Sequence, residues 1–144
     1  ENWWQPQDRE QFEKRTQQLV AQYNAYQPFP DANINGQLTL GENIGDLGGL
    51  SIALKAYHLS LKGKPAPVID GFTGEQRVFL GWAQAWRVKR RDELARQILV
   101  TDPHSPAKYR VNGVLPNIPD FYQAFDVKEG DGMYLPAEQR VKIW

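Results

Sequence analysis

The sequence predicts a mainly α-helical protein. Apolar residues recur at helical spacing in several segments, residues typical of helix starts precede two of them, and prolines separate the segments. Hydrophobic residues make up 41% of the 144 residues and aromatic residues 12%, which is typical of a globular chain rather than a disordered one. This length accommodates one domain, which we assign to residues 1–144.

The first two predicted helices cover residues 8–26 and 41–62. A turn and a brief extended segment are predicted between them. Thr39 and Glu42 have the spacing of a capping box, so we expect the Thr39 hydroxyl to cap the second helix. Several glycines occupy positions 41–49, although each interior glycine costs about 0.5–1 kcal/mol relative to alanine. We therefore expect another part of the protein to approach this helix closely.

The second half of the chain contains three further predicted helices. One begins at Thr73, with Gln76 completing a second capping box. Another covers residues 92–100. Residues 109–115 are predicted to form a short strand or an irregular segment, and residues 119–125 a last short helix.

Charge and composition exclude several classes of function. Lys plus Arg and Asp plus Glu are both 17, so the balanced charge gives no indication of a nucleic-acid partner. No apolar run approaches the ~20 residues that cross a bilayer. Cysteine is absent, which excludes disulfides and cysteine-based zinc sites. The chain contains no H-E-x-x-H zinc motif, no Gly-x-Ser-x-Gly and no phosphate-binding loop.

The two histidines of the chain are His58 and His104. His58 lies on a predicted helix, where a structural or solvent-facing role is favoured. His104 lies in a loop between Pro103 and Pro106, which restrict its freedom and suit a proton donor or an anion-stabilising group. The local sequence around His104 by itself still favours a structural role.

Glu42 and Asp46 are four residues apart and share one face of the second helix. They fit either a capping glutamate beside a solvated aspartate or a metal ligand with a supporting carboxylate one turn later. The residues alone favour the first interpretation. Arg110 follows the His104 loop, and its forked guanidinium suits a carboxylate or an oxyanion.

Four ordered motifs and the chain end resemble one family. Gly41–Leu50 resembles the signature helix of the neprilysin and endothelin-converting enzyme family of zinc metallopeptidases. Three later stretches resemble the F-x-x-x-A-Q-x-W, T-D-x-H-S-P and F-R-x-x-G runs of that family, and the chain end resembles a short bacterial form of its terminus. These stretches are residues 79–86, 101–106, 109–113 and 140–144.

The resemblance implies a role for each candidate residue. Glu42 would be the third ligand of one zinc ion, and Asp46 would hold a zinc-binding histidine in position. His104 would stabilise the oxyanion of the reaction. Arg110 would bind the substrate backbone, and the pocket for the substrate side chain after the cut would be lined by Ala85 and Trp86.

The resemblance also implies that the chain is the C-terminal helical part of a zincin-type catalytic domain. The H-E-x-x-H helix, with the remaining zinc ligands and the catalytic base, is expected upstream of residue 1. We call the longer protein the parent protein; peptides would be its substrates, and the isolated chain should be inactive. The lack of cysteine points to a bacterial relative, and an exported location is favoured over the cytoplasm.

Two alternatives from other classes stay open. The chain could be a non-catalytic helical module that grips peptides in the pocket beside Trp86. It could also be a plain helical interaction domain whose acidic residues only cap helices. An upstream sequence without H-E-x-x-H would favour the peptide-binding module.

Overall fold

A computed structural model describes residues 3–143 and confirms the mainly α-helical fold, with no β-strand in that range. None of the helices in this range is both long and apolar enough to cross a membrane. The predicted chain end at Trp144 lies outside the described residues. The helices are α1 (Pro6–Asn24), α2 (Leu40–Ser60), α3 (Gly74–Ala85), α4 (Asp92–Thr101), α5 (Ala107–Asn112) and α6 (Pro119–Phe125), with 3-10 turns at Leu115–Asn117 and Ala137–Gln139.

Only one of the two predicted capping boxes forms. At the start of α3, the amide of Gln76 donates to Thr73 Oγ1 at 3.2 Å, and the amide of Thr73 donates to Gln76 Oε1 at 2.9 Å. The prediction of a capping box at Thr39 was wrong, because the side chain of this residue makes no cap hydrogen bond. Its hydroxyl instead donates to the carbonyl of Asn35 and accepts from Asn43 Nδ2.

The predicted strand or irregular segment at residues 109–115 was wrong in its main part, because residues 109–112 form the end of α5. Residues 113 and 114 form a turn that leads into the 3-10 turn at residue 115. The phenol of Tyr23 in α1 donates to the carbonyl of Tyr109 at 3.1 Å. A Cβ atom on Gly113 would lie 2.7 Å from Tyr23, so glycine permits this close packing. Contacts from α1 thus fix a segment whose own sequence pattern was ambiguous.

The core consists of two apolar clusters, and α2 contributes to both. In the first cluster, Phe79 of α3 meets Phe121 of α6 edge-on, with ring centroids 5.9 Å apart. In the second, α1 packs against α4 and α5 around the fully buried Tyr23. Burying one such large apolar side chain contributes about 1.5–3 kcal/mol. The N-terminal half of α2 is therefore held rigidly between the two clusters.

One face of α2 is open. Gly41, Gly45 and Gly49 are exposed, and no atom lies within 4 Å of a Cβ built on any of them. Ile52 continues this face and is 64% exposed. At these three glycines, none of residues 3–143 makes the close approach that the sequence predicts.

Candidate active site

Glu42 and His104 meet at the edge of this open face. Glu42 lies in the first turn of α2, and His104 lies in the loop between α4 and α5. The imidazole Nε2 of His104 is 3.1 Å from Glu42 Oε2, and both side chains are nearly half exposed. Two residues 62 positions apart in the sequence thus form one polar cluster that solvent and ligands can reach.

Asp102 holds the other side of the His104 ring. Its Oδ1 lies 2.7 Å from His104 Nδ1 and also accepts the backbone amide of His104 at 2.9 Å. These two contacts, the backbone hydrogen bond first, lower the pKa of Asp102. The carboxylate thereby fixes both the loop conformation and the orientation of the imidazole, so that Nε2 faces Glu42.

A buried hydrogen-bond chain fastens the His104 loop to α2. Ser105 Oγ donates to Asn43 Oδ1 at 2.7 Å, and Asn43 Nδ2 donates to Thr39 Oγ1 at 2.9 Å. All three side chains are buried. Buried polar groups that satisfy one another in this way define a single arrangement, because breaking any bond leaves a desolvated partner.

Arg110 forms a two-pronged ion pair with Asp46. The Nε and Nη2 atoms of Arg110 each donate to a different oxygen of Asp46 at 2.6 Å. The side chains are only 14% and 7% exposed, respectively. The hydrogen bonds to Asp46 raise the pKa of Arg110. The guanidinium also lies over the ring of Trp86, 3.8 Å from its centroid.

A pocket of about 180 Å³ is lined by Trp86, His104 and Arg110 among others. Glu42 and Asp46 do not line it but contact His104 and Arg110, respectively. Larger cavities, including two of about 520 and 670 Å³, have none of Glu42, Asp46, His104 or Arg110 in their walls. We place the site at the smaller pocket because His104 and Arg110 line it and are held by Glu42 and Asp46.

The structure thus brings together five of the six site residues predicted from the sequence: Glu42, Asp46, Trp86, His104 and Arg110. Ala85 is exposed and is not among the pocket-lining residues. Sequence reasoning named no role for Asp102, Asn43 or Ser105. The D-x-H spacing of Asp102 and His104 was an available signal, since an aspartate often bonds its own backbone two residues on. The contact between Asn43 and Ser105 had no local signal.

The chemistry of the described residues suits zinc at one carboxylate, that of Glu42. Glu42 has an accessible side chain whose one ion pair within residues 3–143 is with His104. No group of three or more His, Cys, Asp or Glu in this range is arranged to hold a metal ion. Catalytic zinc sites take three protein ligands. Glu42 is therefore suited to contribute one ligand to a site, not to form one alone.

Known proteins resemble nearly the whole chain. Residues 1–141 match Peptidase family M13. The chain is 41% identical to Neprilysin-1 of Caenorhabditis elegans and 37% identical to the neutral endopeptidase of Lactococcus lactis; each match covers 99% of this chain and about a fifth of the relative. The zinc metalloprotease Zmp1 of Mycobacterium tuberculosis superimposes with a TM-score of 0.97 at 55% identity, over 100% of this chain and 23% of Zmp1.

These relatives are peptidases, and several are named as zinc enzymes or as neprilysin and endothelin-converting enzymes. The similarity extends over the motifs on which the predicted resemblance was based, and the helical structure matches as well. The chain spans about a fifth of the length of the relatives it matches. On this evidence the chain belongs to peptidase family M13, the family of the neprilysins and endothelin-converting enzymes.

Proposed function

We propose that the parent protein is a zinc metallopeptidase that hydrolyses peptide bonds, and that this chain supplies one zinc ligand and the groups that bind the reacting carbonyl. The observation that carries the proposal is that His104 and Arg110 line one pocket while Glu42 Oε2 lies 3.1 Å from His104 Nε2. Membership of family M13 supports the reaction class. One zinc ion is proposed, held by Glu42 and by residues outside this chain.

The proposed chemistry divides between the metal and the residues of this chain. Zinc, held by Glu42 and by residues outside this chain, would polarise the scissile carbonyl and lower the pKa of a bound water. Asp102 holds His104 at Nδ1, so Nε2 can donate a hydrogen bond to the developing oxyanion when the ring is an imidazolium and Glu42 Oε2 binds the metal instead of Nε2. Arg110 uses Nε and Nη2 for Asp46, so its Nη1 remains available for a substrate carbonyl. A glutamate outside this chain would act as the base.

Trp86 gives the pocket its apolar wall. Ile98 and Leu99 of α4 line the same space, so an apolar substrate side chain fits there. We propose that this side chain belongs to the residue after the cut. Ala85, which precedes Trp86 and is exposed, would meet the substrate at the mouth of the pocket rather than inside it.

The open face of α2 is the proposed contact with the rest of the parent protein. Its three exposed glycines would let another backbone approach to short distance, and the exposed Ile52 would be buried there. Glu42 borders this face. A segment of the parent protein that packs on these glycines would therefore lie close to Glu42. Residues that complete a metal site with Glu42 must lie equally close to it.

The first prediction compares the peptidase activity of the isolated chain with that of the parent protein. The parent protein should cleave peptides, and a chelator should abolish the cleavage. The isolated chain 1–144 should cleave none, because one carboxylate does not hold catalytic zinc. Both are measured with a quenched fluorescent peptide and added zinc. Chelator-sensitive cleavage by the isolated chain would show that the site is complete within it.

A peptide-binding module without catalysis is the second candidate, because the pocket of Trp86, His104 and Arg110 forms from this chain alone. The coding sequence upstream of residue 1 discriminates between the two. An in-frame H-E-x-x-H within about 40 codons supports the peptidase. Its absence would make peptide binding the leading function.

The second prediction concerns His104. In the parent protein, His104→Ala should lower turnover by about 100-fold or more and leave zinc content nearly unchanged, because the imidazole stabilises charge rather than holding metal. His58→Ala is the matched control, since His58 also pairs with a glutamate through Nε2 at 3.1 Å but lies outside the pocket. Steady-state kinetics and metal analysis check both. Equal loss of zinc and turnover in His104→Ala would instead mark a structural role.

A further inference from the structure

The segment between α3 and α4 carries an unusual concentration of positive charge. Residues 87–91 contain four basic side chains, and the whole segment is exposed. None of the four forms an ion pair or a side-chain hydrogen bond within residues 3–143, although other basic residues in that range do. Unpaired charge beside a pocket raises the local concentration of ligands of opposite charge.

Only part of this segment faces the pocket. Val88 and Arg90 line it, whereas Arg87, Lys89 and Arg91 do not. This alternation is that of an extended chain, in which neighbouring side chains point to opposite sides. This segment therefore contributes one apolar side chain and one guanidinium to the wall of the pocket.

Arg90 is a cation of this pocket whose side chain has no bonded partner among residues 3–143. The other guanidinium, that of Arg110, is neutralised by both oxygens of Asp46. Asp102 lies within electrostatic range of Arg90, but no ion pair or hydrogen bond joins the two within residues 3–143, and Asp102 Oδ1 is engaged with the amide and the ring of His104. A ligand that fills the pocket thus meets a guanidinium free to fork onto a carboxylate.

We propose that Arg90 is a specificity-determining residue that binds a carboxylate of the substrate, beyond the side chain held against Trp86. The carboxylate belongs either to an acidic residue or to the free C-terminus of a short peptide. This inference rests on the proposed function and narrows its substrate class. Peptides with a carboxylate one or two residues after the cut are then preferred over neutral peptides.

The test uses the parent protein and four peptides of one sequence. The second residue after the cut is Glu or Gln, and the C-terminus is a free carboxylate or an amide. Arg90→Gln should lower the preference in kcat/KM for the carboxylate-bearing peptide over the neutral one by about fivefold. Whether the Glu pair or the C-terminal pair responds identifies the source of the carboxylate.

Lys89→Gln is the matched control, because it removes a neighbouring charge that does not line the pocket. It should leave the ratio between peptides as in the wild type. An unchanged ratio in Arg90→Gln would overturn the inference. An equal fall in kcat for all four peptides would also overturn it, since Arg90 would then act on Asp102 and His104 rather than on the substrate.

A binding measurement separates this inference from the proposed function. The affinities of the corresponding product peptides, which need no catalysis, should show the same fivefold dependence on Arg90. Dependence on Arg90 in a parent protein without chelator-sensitive cleavage would keep the inference and reject the peptidase. Chelator-sensitive cleavage that does not depend on Arg90, in kinetics or in binding, would keep the peptidase and reject the inference.

Discussion

Replacing Glu42 by Gln in the parent protein is expected to abolish zinc retention and peptidase activity together. Glutamine keeps the size of the side chain but loses the negative charge that a carboxylate ligand offers to Zn²⁺. Changes to residues that merely support ligands cost 10–100-fold, so loss of a ligand should lower zinc affinity by more than about 100-fold. Metal analysis after dialysis and cleavage of a fluorescent peptide measure the two effects.

Glu75 provides the matched control for this experiment. Like Glu42, it lies in the first turn of a helix, and its carboxylate is 3.1 Å from a histidine Nε2. Glu75→Gln should therefore disturb a comparable contact with no effect on zinc or turnover. Full activity in Glu42→Gln would reject the ligand assignment, and equal loss in both variants would point to a general effect on folding.

Breaking the ion pair between Asp46 and Arg110 should give the largest change in stability. Removing one partner of a buried pair costs about 3–5 kcal/mol, because the remaining charge stays desolvated and unpaired. Asp46→Asn leaves the buried charge of Arg110 unpaired, and Arg110→Gln leaves the buried charge of Asp46 unpaired. Urea or thermal unfolding of the parent protein should show a clear drop in midpoint for each variant.

The exposed pair of Arg96 and Asp31 is the control for this prediction. Its atoms are 3.0 Å apart, but the side chains are 46% and 69% exposed. Asp31→Asn should therefore cost at most about 1 kcal/mol. The double variant Asp46→Asn with Arg110→Gln should be more stable than the two single effects added together, because no unpaired charge remains. Strict additivity would show that the pair does not act as a unit.

The same Asp46 variant tests the role implied by the family resemblance. Each carboxylate oxygen has two acceptor positions, so Asp46 can hold Arg110 and still accept a hydrogen bond from a zinc-binding histidine. If it does so, Asp46→Asn should also weaken zinc binding by about 10–100-fold. Unchanged zinc affinity beside a lower unfolding midpoint would restrict Asp46 to positioning Arg110.

Much of the local structure was predictable because it depends on neighbours in the sequence. Amphipathic spacing and proline positions located the four longer helices to within about two residues, and the Thr73 capping box formed as expected. The box at Thr39 failed because its hydroxyl was already engaged by Asn35 and Asn43. The same local pattern gave two outcomes, and competing partners decided between them.

The sequence by itself determined the helical class, the family and the residue types available for chemistry, since ordered motifs and periodicity are properties of the chain. Only the tertiary structure decided which of these residues meet. Asp46 and Arg110 are 64 positions apart, and Asn43 and Ser105 are 62 apart, yet each pair is hydrogen-bonded. Such contacts depend on how α2 packs against α4 and α5 in the core, and no local pattern encodes that packing.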